Sequence, residues 1–421
     1  MNGNSISRRR FVTTAGLVTG ALVFKPSLVK GSQANSAIRI GLLGCGGRGT
    51  VVANAFVNNA ANNCRIVAIA DLFDDQLQKA KKYWDEIAVA KGYSAIDPKL
   101  VFLGPKAYEQ IASCTQCDVI IISSPDYFHV QHLEAVVDAG KHCYCEKPAG
   151  VDVESCRKFI EIGERATGKL SLEVGFEVRQ APCFSEVIDR IHKGAIGRIS
   201  HGMLHYHASA IEYPEYPNAS PLERRIRQFY WDRVLSGDTI VDQHIHVIDM
   251  ANWVMGAHPI KAMGTGGRKV RQDASNVWDN WSVSFTYPGD VNMSLSSVQF
   301  GGFWDVGVRF IGDQGMGESN YNGLGRITGK EPWSVSALKE GGDFSTAGTF
   351  DGLGNADTLK TASFTESIRS GNFHNQSREG AESALSAILG RMAAYSGEEV
   401  TWDEMMASNQ SYQGLIDLNR L

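Results

Sequence analysis

The stretch Gly44-Cys45-Gly46-Gly47-Arg48-Gly49 decides how this chain folds. It follows the apolar run 37–43 and opens an amphipathic stretch, so it reads as a turn from a strand into a helix. Gly44 permits the tight turn, Gly46 lets a pyrophosphate approach the backbone, and Gly49 lets helix and strand close up. The helix start, with Gly47 and Arg48, offers unpaired N–H groups and a partial positive charge to phosphate. A second strand candidate, 65–70, runs into Asp71, about twenty residues past the glycines, where an acid meets an adenosine ribose. Asp71 would repel a 2′-phosphate, which favours NAD over NADP. Arg48 is the one nearby cation that could soften this preference.

Working outward, further short apolar runs at 100–103, 118–123, 142–146 and 170–174 alternate with helical stretches after Gly47 and at 74–83, 129–139 and 153–167. That alternation predicts an N-terminal doubly wound parallel sheet. Beyond about residue 176 the texture changes. A helix at 182–192 precedes longer strands at 198–207, 281–287, 291–299 and 306–311. Trp281, Val283, Phe285 and Tyr287 alternate with Ser282, Ser284 and Thr286, the pattern of a sheet covered on one face. Residues 312–355, rich in Gly and Ser, read as long loops, and helices return at 361–370, 378–396 and 402–410. The expected organisation is a leader and linker at 1–36, a dinucleotide-binding domain at 37–176, and an α+β substrate-binding and oligomerisation domain at 177–421. The second domain is a large, mainly antiparallel open sheet with helices on one face.

The leader is read from Ser7-Arg8-Arg9-Arg10-Phe11-Val12, which matches the twin-arginine export pattern, followed by a weak apolar stretch. Export by that machinery to the periplasm is expected, the leader being either removed between 31 and 37 or kept as a tether. The route carries folded proteins, which suits a tightly held cofactor. Across 421 residues the formal net charge is −5, and residues 1–30 hold Arg8, Arg9, Arg10, Lys25 and Lys30 but no acid, so the body is more acidic still. An acidic body argues against nucleic acid and anionic membrane as partners. No apolar run is long enough to span a bilayer. The eight cysteines all lie in the first half and read as buried free thiols; Cys114 and Cys117 have redox or zinc spacing but no second pair.

Two places point to chemistry. Glu146-Lys147-Pro148 closes the fifth strand candidate, and a lysine at a strand's carboxyl end projects into the crevice where ligands of such sheets lie. In Asp242-Gln243-His244-Ile245-His246, read as one helix from about residue 240, Asp242 and His246 are i,i+4 and form a proton relay, with Asp249 continuing the stripe. His201, His205 and His207 share one strand face. They suit sugar-binding positions or, with Asp242, His244 or His246, a metal site; the reading favours no metal.

Together these segments resemble the glucose–fructose oxidoreductase/inositol dehydrogenase/rhizopine catabolism (Gfo/Idh/MocA) family. The carriers are Gly44–Gly49, Ser124-Pro125-Asp126-Tyr127-Phe128-His129, Glu146-Lys147-Pro148, Val174-Gly175-Phe176 and the segment from Asp242 and His246 to Gly256. The family glycine between the Asp and the His is replaced by His244. The resemblance implies Lys147, Asp242 and His246 as the catalytic set, acting on a sugar, polyol or glycoside. His246 would take the hydroxyl proton, Lys147 would stabilise the alkoxide, and Asp242 would orient one of the two. Ser124, Pro125 and Glu146 belong to the implied cofactor cradle, with Tyr127 and His129 flanking nicotinamide and ribose. Arg179, His205, His207 and His244 are candidates for substrate binding, Arg179 being equally suited to tying the two halves together. A borrowed-hydride glycoside hydrolase is the alternative, though relatives doing that chemistry lose the lysine that this chain keeps. A carbohydrate-binding protein on an inactive scaffold is the other. A homodimer or homotetramer built by sheet packing is expected, as in many relatives.

Overall fold

The computed structural model describes residues 36–336 and 353–421. The twin-arginine segment lies outside them. The first sheet has six parallel strands, β1 (Ile38–Leu43), β2 (Cys64–Asp71), β3 (Val101–Leu103), β4 (Val119–Ile122), β5 (His142–Cys145) and β6 (Leu172–Val174), in the order β3-β2-β1-β4-β5-β6. Helices α1 (Gly47–Asn58), α2 (Asp74–Ala90), α3 (Ala107–Ala112), α4 (His129–Asp138) and α5 (Val153–Ala166) connect them. Side-chain alternation sorts the strands onto two cores. Ile40, Leu42, Val119 and Ile121 pack with Val52, Phe56, Leu77 and Trp84. Ile120, Ile122, Cys143 and Cys145 face the other way, towards Leu133, Val136 and Phe159. The apolar content of these strands is what burial on both faces requires. α5 starts in a capping box in which Asp152 accepts from Ser155 N, and the Ser155 hydroxyl accepts from Asp152 N.

The second sheet has nine strands: β7 (Ile199–Ala208), β8 (Lys261–Gly267), β9 (Asn280–Tyr287), β10 (Val291–Gln299), β11 (Asp305–Gly312), β12 (Gly315–Asn320), β13 (Leu324–Gly329), β14 (Trp333–Ser336) and β15 (Val400–Thr401). Their order is β14-β13-β12-β11-β7-β10-β9-β8-β15, antiparallel except where β7 meets β10. Trp281, Val283, Phe285 and Tyr287 are buried and Ser282 and Ser284 exposed, as the alternation predicts. The helices of this half are α6 (Pro182–His192), α7 (Pro221–Arg227), α8 (Arg233–Ser236), α9 (Thr239–Asp242), α10 (Ile245–Met255), α11 (Ala356–Ser370), α12 (Ser377–Ser396) and α13 (Trp402–Ala407). The core of the inner face, with Ile248 of α10 and Ile388 of α12, is continuous with that of the first sheet around Phe159 and Val174.

Two expectations are corrected. Residues 315–336 form β12, β13 and β14 rather than loops. Their glycines accommodate α6: a Cβ on Gly317 would lie 2.7 Å from Ile191 Cδ1, and one on Gly325 2.3 Å from the Cys183 carbonyl. The remainder of that stretch, 337–352, lies outside the described residues. The helix expected from 240 is also broken. α9 ends at Asp242, Gln243 and His244 intervene, and α10 starts at Ile245, so Asp242 and His246 do not share one helical stripe. Among the described residues, no helix is long and apolar enough to cross a membrane.

Candidate active site

Gly44 has φ +93°, and a Cβ there would lie 2.4 Å from the Ser123 carbonyl, so this turn admits only glycine. A Cβ on Gly49 would lie 2.2 Å from the Gly44 carbonyl. At Gly46 and Gly47 a Cβ would meet nothing within 4 Å, so free space lies directly over the start of α1. Asp71, at the end of β2, accepts from Cys45 N at 2.7 Å and Phe73 N at 2.9 Å, which fixes its carboxylate beside that space. Burial raises its pKa, and those N–H groups work against the rise. A cavity of about 190 Å³ is lined by Gly44, Gly46, Asp71, Ser124 and Pro125. A phosphate-sized opening at a helix start beside an oriented acid fits the adenosine end of a dinucleotide.

The far wall of this cavity comes from the second half of the chain. Tyr216, Ile226, Arg227 and Phe229 line it. Arg227 donates to both Asp75 oxygens, at 2.6 and 3.2 Å, and its guanidinium lies 3.9 Å above the Phe73 ring. Ile226 packs with Phe128 and Ile416. The aromatic segment before α8 therefore straps down over the adenosine end.

Arg48 does not offer a cation to a 2′-phosphate. It donates to Glu146 at 2.9 Å and to both Asp357 oxygens at 2.8 and 2.9 Å, with Glu177 3.7 Å away. Glu146 is thereby held in an ion pair. His129 is buried, its two ring nitrogens 2.8 Å from the carbonyls of Pro148 and Ser124, so it staples two strand ends together rather than facing the crevice. Tyr127 donates to the Tyr412 carbonyl at 3.1 Å and lines a neighbouring cavity with the C-terminal segment instead of flanking a nicotinamide.

At the carboxyl end of β5, Lys147 precedes a cis peptide to Pro148. Its Nζ donates to Asp242 Oδ1 at 2.9 Å and to the Asp242 carbonyl at 2.5 Å. The other carboxylate oxygen of Asp242 accepts from Gln243 Nε2 at 2.8 Å. Burial would raise the Asp242 pKa, but the Lys147 charge together with hydrogen bonds from Gln243, Lys147 and Asp126 holds the carboxyl below its ordinary range. Burial also opposes the charge on Lys147, and Asp242 and Asp126 overcome it, so the ammonium is kept. Asp126 is buried beside this pair, and burial together with the Asp242 charge pushes its carboxyl well up.

His246 lies in α10 with its ring edge-on to Phe176. Its Nε2 is 3.8 Å from Glu177 Oε1, and among the described residues its buried Nδ1 has no hydrogen-bond partner. Burial lowers its pKa, which leaves a neutral imidazole ready to accept a proton.

The remaining candidates are engaged elsewhere. Arg179 forks onto Asp249 at 2.7 and 2.8 Å, and so ties the turn after β6 to α10. His244 is fully buried, 3.0 Å from Ser297 Oγ and packed on Tyr206, with burial pushing its pKa down to about 3. His205 and His207 alternate with buried Leu204, Tyr206 and Ala208, so they lie on the outer face of the sheet. There His205 meets Asp305 at 3.1 Å and His207 meets Ser296 at 3.0 Å. Asp242, His244 and His246 are on the opposite side, and among the described residues no group of three or more such side chains is placed to hold a metal ion. Glu177, Gln243 and Arg227 had no part in the sequence reading. Glu177 was the most accessible of them, because an acid beside a Gly-Phe turn at a strand end is placed for a crevice.

Residues 38–174 match the model of an oxidoreductase family with an NAD-binding Rossmann fold, Gfo/Idh/MocA, and residues 184–318 match that family's C-terminal domain. An inositol 2-dehydrogenase from Rhizobium meliloti (strain 1021) is 28% identical over 59% of this chain. That match spans 64% of the relative's own length. Among solved structures, a levoglucosan dehydrogenase in complex with NADH and levoglucosan aligns with a TM-score of 0.68 at 18% identity, over 87% of this chain and 99% of that one. An aldose-aldose oxidoreductase from Caulobacter crescentus aligns with a TM-score of 0.66 at 17% identity, over the same shares. The chain thus belongs to the Gfo/Idh/MocA oxidoreductase family, with an NAD-binding Rossmann fold followed by the family's C-terminal domain.

Proposed function

We propose that this protein is an NAD-dependent dehydrogenase that oxidises a secondary hydroxyl of a sugar or polyol. The observation that carries the reading is Lys147, at the carboxyl end of β5, held in an ion pair by Asp242, with His246 buried on α10 and its Nδ1 without a hydrogen-bond partner among the described residues. NAD, bound over the start of α1, supplies the hydride acceptor. Lys147 stabilises negative charge as it develops on the hydroxyl oxygen, in a site where burial strengthens that attraction. His246 takes the hydroxyl proton at Nδ1, the nitrogen without an internal partner among the described residues. Asp242 keeps Lys147 charged and aimed.

Preference for NAD over NADP rests on Asp71, whose carboxylate is fixed beside the adenosine end, and on Arg48 being surrounded by acids. The substrate class is supported by the relative named inositol 2-dehydrogenase and by the neighbour that holds levoglucosan and NADH. Lys147 in place supports net oxidation over redox-neutral glycoside hydrolysis. Export to the periplasm and self-association through the outer face of the second sheet belong to the same proposal.

The test is to supply NAD with myo-inositol, levoglucosan or D-glucose and follow the nicotinamide absorbance. Lasting reduction that disappears in Lys147→Ala and His246→Ala, with NAD binding kept, supports the reading. Cleavage of a glycoside with no lasting reduction replaces it by the hydrolase. Failure to bind NAD overturns it.

A further inference from the structure

The sequence pairs His246 with Asp242, but the structure gives it a different carboxylate. Both Asp242 oxygens are engaged, by Lys147 and Gln243. The acid within reach of His246 is Glu177, whose Oε1 is 3.8 Å from Nε2. Glu177 is 6% exposed and begins the short turn Glu177–Gln180 directly after Phe176, the residue whose ring packs edge-on against His246. One turn thus supplies both a wall and a charge to the same imidazole. The two ring nitrogens have different surroundings: Nε2 faces Glu177, and Nδ1 has no hydrogen-bond partner among the described residues.

Despite its burial, the charges of His246, Arg48 and Lys360 hold the Glu177 carboxyl below its ordinary range, so it faces the imidazole as a carboxylate. A cavity of about 90 Å³ is lined by Glu177 and residues 353–358, including Asp357. The cavity is large enough for water, and among the described residues Glu177 and Asp357 give it polar partners. From α1, Arg48 faces Glu177 at 3.7 Å, and from α11 the Lys360 charge acts on it as well. His246 feels Lys147, Arg48 and Asp249 besides Glu177.

We propose that Glu177 is the positioning residue of His246, its carboxylate holding Nε2–H so that Nδ1 faces the substrate hydroxyl, and stabilising the imidazolium that forms when Nδ1 takes the proton. This rests on the dehydrogenase reading above. In the step, the substrate carbon loses a hydride to NAD and is oxidised by two electrons while its oxygen loses a proton to Nδ1. The imidazolium keeps its Nε2–H bond, and Glu177 stays ionised opposite it. Water takes the proton from the imidazolium once the product has left. The 3.8 Å separation closes to a hydrogen bond when the site fills, as catalytic contacts do on substrate binding.

The experiment uses the full chain loaded with NAD, its histidines carbon-13 labelled, with His246 assigned by its loss in His246→Asn. Its titration is compared in wild type, Glu177→Gln and Glu177→Asp. Removing the negative charge lowers the His246 pKa by about one unit or more in Glu177→Gln, while Glu177→Asp retains most of the wild-type value. With whichever of myo-inositol, levoglucosan or D-glucose reduces bound NAD in the wild type, Glu177→Gln slows the single-turnover reduction of bound NAD about 100-fold. Glu177→Asp keeps most of the wild-type rate, a rescue by the conservative variant that a purely structural role does not give. Unchanged titration in a folded Glu177→Gln overturns the proposal. So does a Glu177→Asp variant that behaves like Gln. A wild type that binds NAD but oxidises none of the three compounds overturns the dehydrogenase reading instead, and the titration alone then decides the pairing.

Discussion

Lys147 meets Asp242 twice, once at the carboxylate and once at the main-chain carbonyl of the same residue. A bond to the carbonyl fixes the end of α9 and a bond to the side chain fixes the charge. The lysine at the end of a parallel strand and the break between two helices are therefore positioned by one another.

The first prediction follows from that mutual dependence. Lys147→Met leaves Asp242 ionised and buried without its cation, and Asp242→Asn leaves the ammonium unmatched, so each destabilises by about 3–5 kcal/mol. The double variant loses less than the two single losses combined, by about 1–3 kcal/mol. Urea unfolding of the four proteins in a double-mutant cycle measures this, and additivity would refute the coupling.

A second prediction concerns Asp71. Its carboxylate is aimed by Cys45 N and Phe73 N, so replacing it removes an oriented acceptor rather than a mobile one. Asp71→Ser weakens NAD binding about tenfold and narrows the NAD to NADP ratio by at least as much, about 1.4 kcal/mol. Tryptophan fluorescence titration with each dinucleotide reads both values.

Acid stability reports on His244. Burial holds its imidazole near 3, below the unfolded value of about 6.5. The folded state therefore binds fewer protons than the unfolded state between those values. The stabilisation is complete above about pH 6.5 and is lost as pH falls towards 3, at up to about 1.4 kcal/mol per pH unit. His244→Gln shows a shallower loss between pH 6.5 and 4. Asp238, raised by burial to about 6, works in the opposite sense in both proteins and cancels in the difference. Denaturant midpoints across that range provide the comparison, and equal slopes would show that His244 charges without cost.

Cofactor exchange tests the strap. Arg227→Ala removes the grip on Asp75 and the stacking on Phe73, so bound NAD leaves about ten times faster, while the tenfold change in dissociation rate leaves the second sheet intact. Displacement of NAD by excess ADP-ribose, followed by fluorescence, gives the rate directly.

The first sheet was legible because glycines, β-branched runs and a terminal acid each carry one steric or electrostatic meaning. Lys147 could be placed for the same reason, at a strand's carboxyl end. The partners of His246 and Arg179 could not, since Asp249 and Glu177 reach them from elements far apart in sequence. The helix break at Gln243 and His244 was hidden because both residues are tolerated in helices, and the interruption is set by tertiary bonds to Lys147 and Ser297. β12 and β13 look like loops because close packing by α6 selects glycine at positions 317 and 325. The face on which His205 and His207 lie was readable from parity, but which face meets the site depends on which side the helices cover.

The strap over the adenosine end also changes what the nicotinamide is to the protein. On the proposed reading, a dinucleotide behind Arg227 and Phe73 would leave only when the segments that carry them part, so it would exchange slowly and act more as a component of the site than as a diffusing co-substrate. Its redox state then becomes a one-bit record of the last molecule handled. Each oxidation would then set the record, and slow exchange would leave its clearing to a second molecule, so that alternation between two substrates would follow from the strap.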